Sequence, residues 1–276
     1  MSTAPSLPAE LSYQGKHVVI TGAATGVGAA MLNVLHTLGA PRVTVLDVKA
    51  PTGPHDTYLA VDLGDEAAVD AAIGQIDGTV DVLFNNAAVN STAGVRTTIA
   101  VNYLSLRRLS ERLLGQIPSG GAIINTASIA GSQWPAHLAQ INELLDIADW
   151  DAALDWVEGQ TDLFGDVYSF SKEIVQVWTM RSSRPTATHG VRTNSVCPAP
   201  IDTPLLVDFR KTMSDALIDW NISQATGTVM TPAEVAWPLA FLGSPAASYI
   251  NGLNMVADGG FGAAMTTGQV DFSAIS

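Results

Sequence analysis

The sequence predicts an α/β fold: a doubly wound parallel sheet with helices on both faces. Three observations carry that expectation. Short apolar runs alternate with helical patterns along the chain, a glycine-rich turn joins the first run to the first helical pattern, and a Tyr-x-x-x-Lys pair sits on a later one. The 276 residues are 47% hydrophobic and 14% charged, enough apolar material for a large core, and the length suits one domain spanning residues 1–276.

Residues 1–15 contain Pro, Ser and Ala and are expected to lie loosely on the surface. His17 to Thr21 reads as a short buried strand, and the turn Gly22-Ala23-Ala24-Thr25-Gly26-Val27-Gly28 follows it, ahead of a helical pattern from Ala29 to Leu38. Glycines let a backbone approach a pyrophosphate closely, and the free N–H groups and dipole of the following helix hold its charge. A second strand, Arg42 to Val48, carries Asp47 near its end. A carboxylate there can accept hydrogen bonds from ribose hydroxyls and repels a 2′-phosphate, so NAD is favoured over NADP. The plainer reading of Asp47 is a solvated strand-end residue. Tyr58 to Leu63 reads as a strand that brings Asp62 and Leu63 towards an adenine, and Asp65 to Ile76 reads as a helix.

Val80 to Phe84 is a further buried strand, and it runs into Asn85-Asn86-Ala87-Ala88. Small residues at a strand's C-terminal end suit a ligand crevice. Asn102 falls in the next helical segment. Ala122 to Ser128 reads as a buried strand closing on Ser128, whose hydroxyl either binds a substrate oxygen or caps the strand end. Tyr168 and Lys172 are four apart and share one helix face. An ammonium there would lower the phenol's ordinary pKa of about 10 and fit it for proton transfer. From Thr203 to Met230, Leu205, Leu206, Phe209, Met213, Leu217 and Trp220, with Trp134, are candidates for an apolar pocket wall.

Composition excludes several functions. A net charge of −13 argues against nucleic acid or an anionic membrane as partner. No segment is long and apolar enough to span a bilayer, and Met1 to Lys16 carries no apolar leader core. The sole cysteine, Cys197, reads as a packed small side chain, which suits a reducing, cytoplasmic setting. His17, His36, His55, His137 and His189 are scattered, without metal-ligand spacing.

Together these motifs resemble the short-chain dehydrogenase/reductases over nearly the whole chain. The glycine turn Thr21–Gly28, Asn85-Asn86-Ala87, Asn102, Ser128, Tyr168-x-x-x-Lys172, the segment Cys197 to Pro204, Phe241 to Gly252 and Asp258-Gly259-Gly260 carry the likeness in order. Two positions depart from the usual pattern: Ala88 and Ala199 stand where glycine is common. The resemblance implies a Rossmann-type fold and NAD-dependent interconversion of a secondary alcohol and a ketone. It implies Tyr168 as the general base or acid and Lys172 as its partner, which also holds the nicotinamide ribose. Ser128 would bind the substrate oxygen, Asn102 would hold a relay water, and Pro198, Ile201 and Thr203 would lie near the nicotinamide, Thr203 against the carboxamide.

An acidic, helix-like insert at about 133–165 separates Ser128 from Tyr168. It resembles one in the subgroup of 3α-hydroxysteroid dehydrogenase/carbonyl reductase. In such relatives it covers a tetramer-forming face, which implies a homodimer, with a homotetramer as the other possibility; the alternative is a lid over the active site. An aromatic or terpenoid alcohol, of the coniferyl alcohol or cyclic monoterpenol type, is the rival substrate class. A cofactor-binding sensor or scaffold without activity is the rival of a different kind.

Overall fold

The computed structural model describes residues 8–212 and 215–273. Met213 and residues 1–7 of the N-terminal segment lie outside the described residues.

The first half runs β1 (His17–Thr21), α1 (Gly26–Thr37), β2 (Arg42–Asp47), β3 (Thr57–Ala60), α2 (Glu66–Ile73) and β4 (Val82–Asn85). Next come α3 (Val95–Ile99), a π-helical turn (Ala100–Leu104), α4 (Ser105–Leu113) and β5 (Ala122–Thr126). The insert forms α5 (Leu138–Asp146) and α6 (Trp150–Glu158), followed by the long α7 (Val167–Ala187) and β6 (Arg192–Pro198). The chain ends through α8 (Pro204–Thr212), α9 (Asp215–Ser223), α10 (Pro232–Gly243), β7 (Asn254–Ala257) and α11 (Phe261–Thr266).

The strands form one parallel sheet in the order β3-β2-β1-β4-β5-β6-β7. Side chains alternate between its faces, and both faces are covered. Val18 and Ile20 of β1 pack with Met31 and Leu35 of α1 and Leu239 of α10, while Val19 between them packs with Val69 of α2 and Leu109 of α4. That two-sided burial is why these strands read as unbroken apolar runs. The connections leave β1 in one direction and β4 in the other, so a crevice opens where the C-terminal ends of β1 and β4 part.

Three strands stop earlier than the apolar pattern suggests, β2 by the single residue Val48. β3 ends at Ala60, so Asp62 and Leu63 sit in the turn before α2. There Asp62 accepts a hydrogen bond from the Gly64 N–H at 2.8 Å, and Asp65 caps α2. β5 ends at Thr126, and Ser128 opens a short 3₁₀ turn, its Oγ accepting from the Ala130 N–H at 3.1 Å.

The insert packs on the flank of α7 and α3. Ile141, Leu144, Leu145, Trp150 and Leu154 are buried with Phe170, Ile174 and Trp178 of α7. Arg96 of α3 reaches Asp151, Asp155 and Glu158 of α6, and Arg181 of α7 pairs with Asp146 of α5. None of the residues lining the crevice comes from 133–165, so the insert does not lid it. Trp134 packs into this same apolar cluster, away from the pocket wall it was expected to join.

Candidate active site

The glycine turn is shaped by close approach. Gly22 has φ +69° and lies so near the β4 exit that a Cβ would meet the Ala87 Cα at 2.5 Å. Gly28 lies under the turn, where a Cβ would meet the Gly22 carbonyl oxygen at 2.0 Å. Gly28 therefore builds the turn without lining the cleft. Thr25 precedes α1 in extended conformation, and its side chain makes no capping hydrogen bond. The first N–H groups of α1 are thus left for another acceptor, at the positive end of the helix dipole.

Asn86 ties the two strand ends together. Its Nδ2 donates to the Gly22 carbonyl at 2.8 Å, while the Thr21 hydroxyl accepts from the N–H groups of Asn86 and Ala87 at 3.0 and 3.1 Å. At the far end of β2, Asp47 accepts from the Ala24 N–H at 2.9 Å and the Lys49 N–H at 3.0 Å. The turn and the carboxylate are thereby held in one frame.

A cleft of about 630 Å³ joins these parts. Gly22, Thr25, Gly26, Val27, Asp47, Asp62, Leu63, Asn86 and Ala87 line one stretch, and Ser128, Tyr168, Lys172, Pro198, Ile201 and Thr203 line another. A Cβ on Gly26 would meet the Thr203 Cγ2 at 3.1 Å, which shows how closely the start of α8 lies over the turn. Uncapped helix amides, a carboxylate at one end and hydroxyls at the other match the donors and acceptors of an extended dinucleotide.

The Ser128 and Tyr168 side chains line one stretch of the cleft, and Ser128 acts on the phenol by opposing the rise in its pKa. Two backing contacts position the pair. Asp166 caps α7 by accepting from the Ser169 N–H at 2.8 Å, and the Gln176 Nε2 donates to the Ser128 carbonyl at 2.8 Å. Lys172 lies on the same helix face, its Nζ 5.6 Å from the Tyr168 ring centre, and donates to the Thr126 carbonyl at 2.8 Å. The electrostatics differ from the expectation. Burial raises the Tyr168 pKa above its ordinary value, opposed by Ser128 and aided by the Asp166 carboxylate, and burial pushes Lys172 down to about 8. Desolvation is the largest influence on each group, and it moves the phenol and the ammonium away from their charged forms. Cys197 is buried and its thiol is pushed up to about 11, in keeping with a packed side chain.

Asn102 stands apart from the cleft. It is buried in the π-helical turn, where its Nδ2 donates to the Ser171 Oγ at 2.9 Å and the Val89 carbonyl at 3.0 Å. Both amide hydrogens are spent on protein partners, so its side chain has no donor left for a relay water.

Beyond the catalytic cluster the wall is apolar. Phe209 meets the Tyr168 ring edge-on at 4.5 Å, and Leu205, Leu206, Leu217 and Trp220 continue the surface. Phe261 and Asn221 also line it and were not anticipated. The Asp258 carboxylate accepts from the N–H groups of Gly260 and Gly262, a turn that swings Phe261 against Trp220 at 5.5 Å. The Asp258-Gly259-Gly260 run was the available signal for that turn.

Comparison with known proteins agrees with this arrangement. Residues 16–140 match the family model described as short chain dehydrogenase, and residues 159–262 match that described as Enoyl-(Acyl carrier protein) reductase. The unmatched gap between them falls on the insert. The chain is 31% identical over 255 residues to a coniferyl-alcohol dehydrogenase of a Pseudomonas species, covering 91% of this chain and 98% of that protein. It is 27% identical to the 3α-hydroxysteroid dehydrogenase/carbonyl reductase of Comamonas testosteroni, over 91% of this chain and 98% of that one. The solved 3α-hydroxysteroid dehydrogenase of Pseudomonas sp. B-0831, complexed with NADH, superposes with a TM-score of 0.76 at 29% identity, covering 91% of this chain and 99% of that one. Fold, site geometry and these likenesses agree that the chain belongs to the short-chain dehydrogenase family of oxidoreductases.

Proposed function

We propose that this chain is an NAD-dependent oxidoreductase that interconverts a secondary alcohol and a ketone on a bulky apolar substrate, as its 3α-hydroxysteroid dehydrogenase/carbonyl reductase relatives do by name. The observation that carries the reading is the gathering of the Ser128, Tyr168 and Lys172 side chains in one cleft that continues to the glycine turn and Asp47. A bound nicotinamide dinucleotide supplies the hydride chemistry. The amides at the start of α1 would hold its diphosphate, Asp47 an adenosine ribose, Asp62 and Leu63 the adenine, and Pro198, Ile201 and Thr203 the nicotinamide end. The solved relative complexed with NADH supports a nicotinamide cofactor, and the Asp47 carboxylate supports NAD over NADP.

Ser128 holds the substrate oxygen and stabilises charge developing on it. In reduction Tyr168 donates its proton to that oxygen; in oxidation it accepts one. Burial keeps the phenol protonated, which suits the donating role. Lys172 fixes the end of β5 through Thr126 and lends a cation beside the phenol. A second reading, an aromatic or terpenoid alcohol as substrate, is favoured by the 31% identity to a coniferyl-alcohol dehydrogenase, and the apolar wall suits it equally.

The chain is further read as a homodimer formed through its C-terminal region, with a homotetramer as the other possibility, and as a cytoplasmic protein. Exposed Trp237, Tyr249 and Val256 on and around the edge strand β7 support the first. For the second, no helix among the described residues is long and apolar enough to cross a membrane, and the only cysteine is buried and unpaired.

The test is a panel of steroid, terpenoid and aryl alcohols assayed with NAD and NADP by the absorbance of the reduced cofactor. Turnover with NAD exceeding NADP is expected, together with a loss of about 10²–10⁴ in Tyr168→Phe. Near-full activity in that variant removes Tyr168 from the chemistry. Cofactor binding without turnover of any alcohol would favour the inactive sensor.

A further inference from the structure

The chain beyond α11 returns to the helix that walls the cleft. Gly268, at φ +69°, closes α11 with a Schellman turn. Its N–H donates to the Met265 carbonyl at 3.3 Å, and the Gln269 N–H donates to the Ala264 carbonyl at 2.8 Å. Beyond this turn, Asp271 and Phe272 lie against α9. Trp220 and Gln224 are one helical turn apart, and their side chains take the two backbone groups of Asp271 between them. The Trp220 Nε1 donates to the Asp271 carbonyl at 2.5 Å, and the Asp271 N–H donates to the Gln224 Oε1 at 2.7 Å. The Phe272 ring lies 5.4 Å from the Trp220 ring, and Phe261 meets that ring edge-on at 5.5 Å. Phe272 is 51% exposed and Trp220 only 6%, so the tail contributes to covering the indole.

The same helix presents Leu217, Ile218, Trp220 and Asn221 to the cleft, whereas Gln224, Asp271 and Phe272 do not line it. The tail therefore touches this wall from outside the ligand space. Elsewhere α9 is tied to Arg210 of α8 through Asp215 and Asp219, at 3.0 and 2.8 Å. Ion pairs that face solvent contribute little, whereas aromatic contacts that exclude water contribute more. We propose that residues 269–273 are a specificity element of the cleft, with Phe272 and Gln224 as positioning residues that hold the α9 wall where a bulky apolar alcohol meets it. The proposal rests on the reading of the cleft as an alcohol site. A bulky substrate reaches from Ser128 and Tyr168 to α9 and needs that wall, while a small one is held at the catalytic end. Loosening the wall removes contacts made equally in the ground and transition states, so it raises KM and spares kcat.

Steady-state kinetics with NAD test this on the bulkiest and the smallest secondary alcohols that the wild type oxidises. Phe272→Ala raises KM for the bulky alcohol about tenfold. Its kcat, the KM for the small alcohol and the KM for NAD all stay within about twofold of wild type. Phe272→Tyr, which keeps a ring against Trp220, behaves as the wild type. Gln224→Ala, which removes one hydrogen bond, raises the same KM about threefold and serves as the test should Phe272→Ala fail to fold. An unchanged KM for the bulky alcohol in both alanine variants would overturn the proposal. So would a KM that rises equally for both alcohols, or a Phe272→Tyr variant as impaired as Phe272→Ala. Those three results sink this inference alone. A wild type that oxidises no alcohol sinks the oxidoreductase reading with it.

Discussion

Tyr168 and Lys172 show how far spacing can be trusted. Four residues apart on a helix, they share a face as the sequence requires, and Ser128 lines the same cleft. Their proton affinities came out opposite to a reading by charge alone, because both groups are almost wholly buried and desolvation dominates. Lys172 has a measurable consequence. With its folded pKa near 8 against 10.5 ordinarily, the unfolded chain binds more protons between those values, so its contribution to stability rises with pH across that window. Tyr168 works the other way only above its ordinary value of about 10. Urea unfolding of wild type and Lys172→Met at pH 8 and pH 10 is therefore expected to show the wild type gaining about 2 kcal/mol on the variant. A difference that stays flat would mean that Lys172 titrates normally.

The insert owes its place to one part-buried contact as well as to its apolar stripe. His137, at the start of α5, lies with its Nδ1 2.6 Å from the Glu173 Oε2 on α7, beside Lys172. Burial raises the Glu173 pKa, and His137 opposes that rise. Removing the imidazole leaves a carboxylate in the core without this partner. His137→Ala should cost about 2 kcal/mol in urea unfolding, and adding Glu173→Gln should recover most of it. If the double variant is no more stable than the single one, the pair does not hold α5 to α7. The apolar periodicity of the insert was legible from Leu138 to Trp156. His137 was legible only as a scattered histidine, since its partner lies 36 residues away on another helix.

The assembled chain leaves an unpaired sheet edge at β7, where Val256 is 58% exposed and the nearby Tyr249 and Trp237 face outward. The insert meanwhile occupies the flank of α3 and α7. A second copy meeting the β7 edge would give a dimer and leave the insert uncovered. Sedimentation equilibrium at micromolar concentration is expected to report a dimer, and Val256→Asp to shift it towards monomer. A monomeric wild type, or a tetramer indifferent to that change, would place the interface elsewhere.

Local signals were enough for the strand–turn–helix of residues 17–37, the doubly wound sheet and the shared helix face of Tyr168 and Lys172, while Ser128 was joined to that pair only by the family resemblance. Glycine spacing, apolar period and helical register are properties of neighbouring residues, and neighbours in sequence carry them. Tertiary packing decided what depends on burial and on distant partners. It set the pKa directions of Tyr168 and Lys172, turned the Asn102 side chain to Val89 and Ser171, kept the insert and Trp134 out of the cleft, and brought Phe261 and Asn221 into its wall. Desolvation and hydrogen-bond pairing exist only once remote segments of the chain have met.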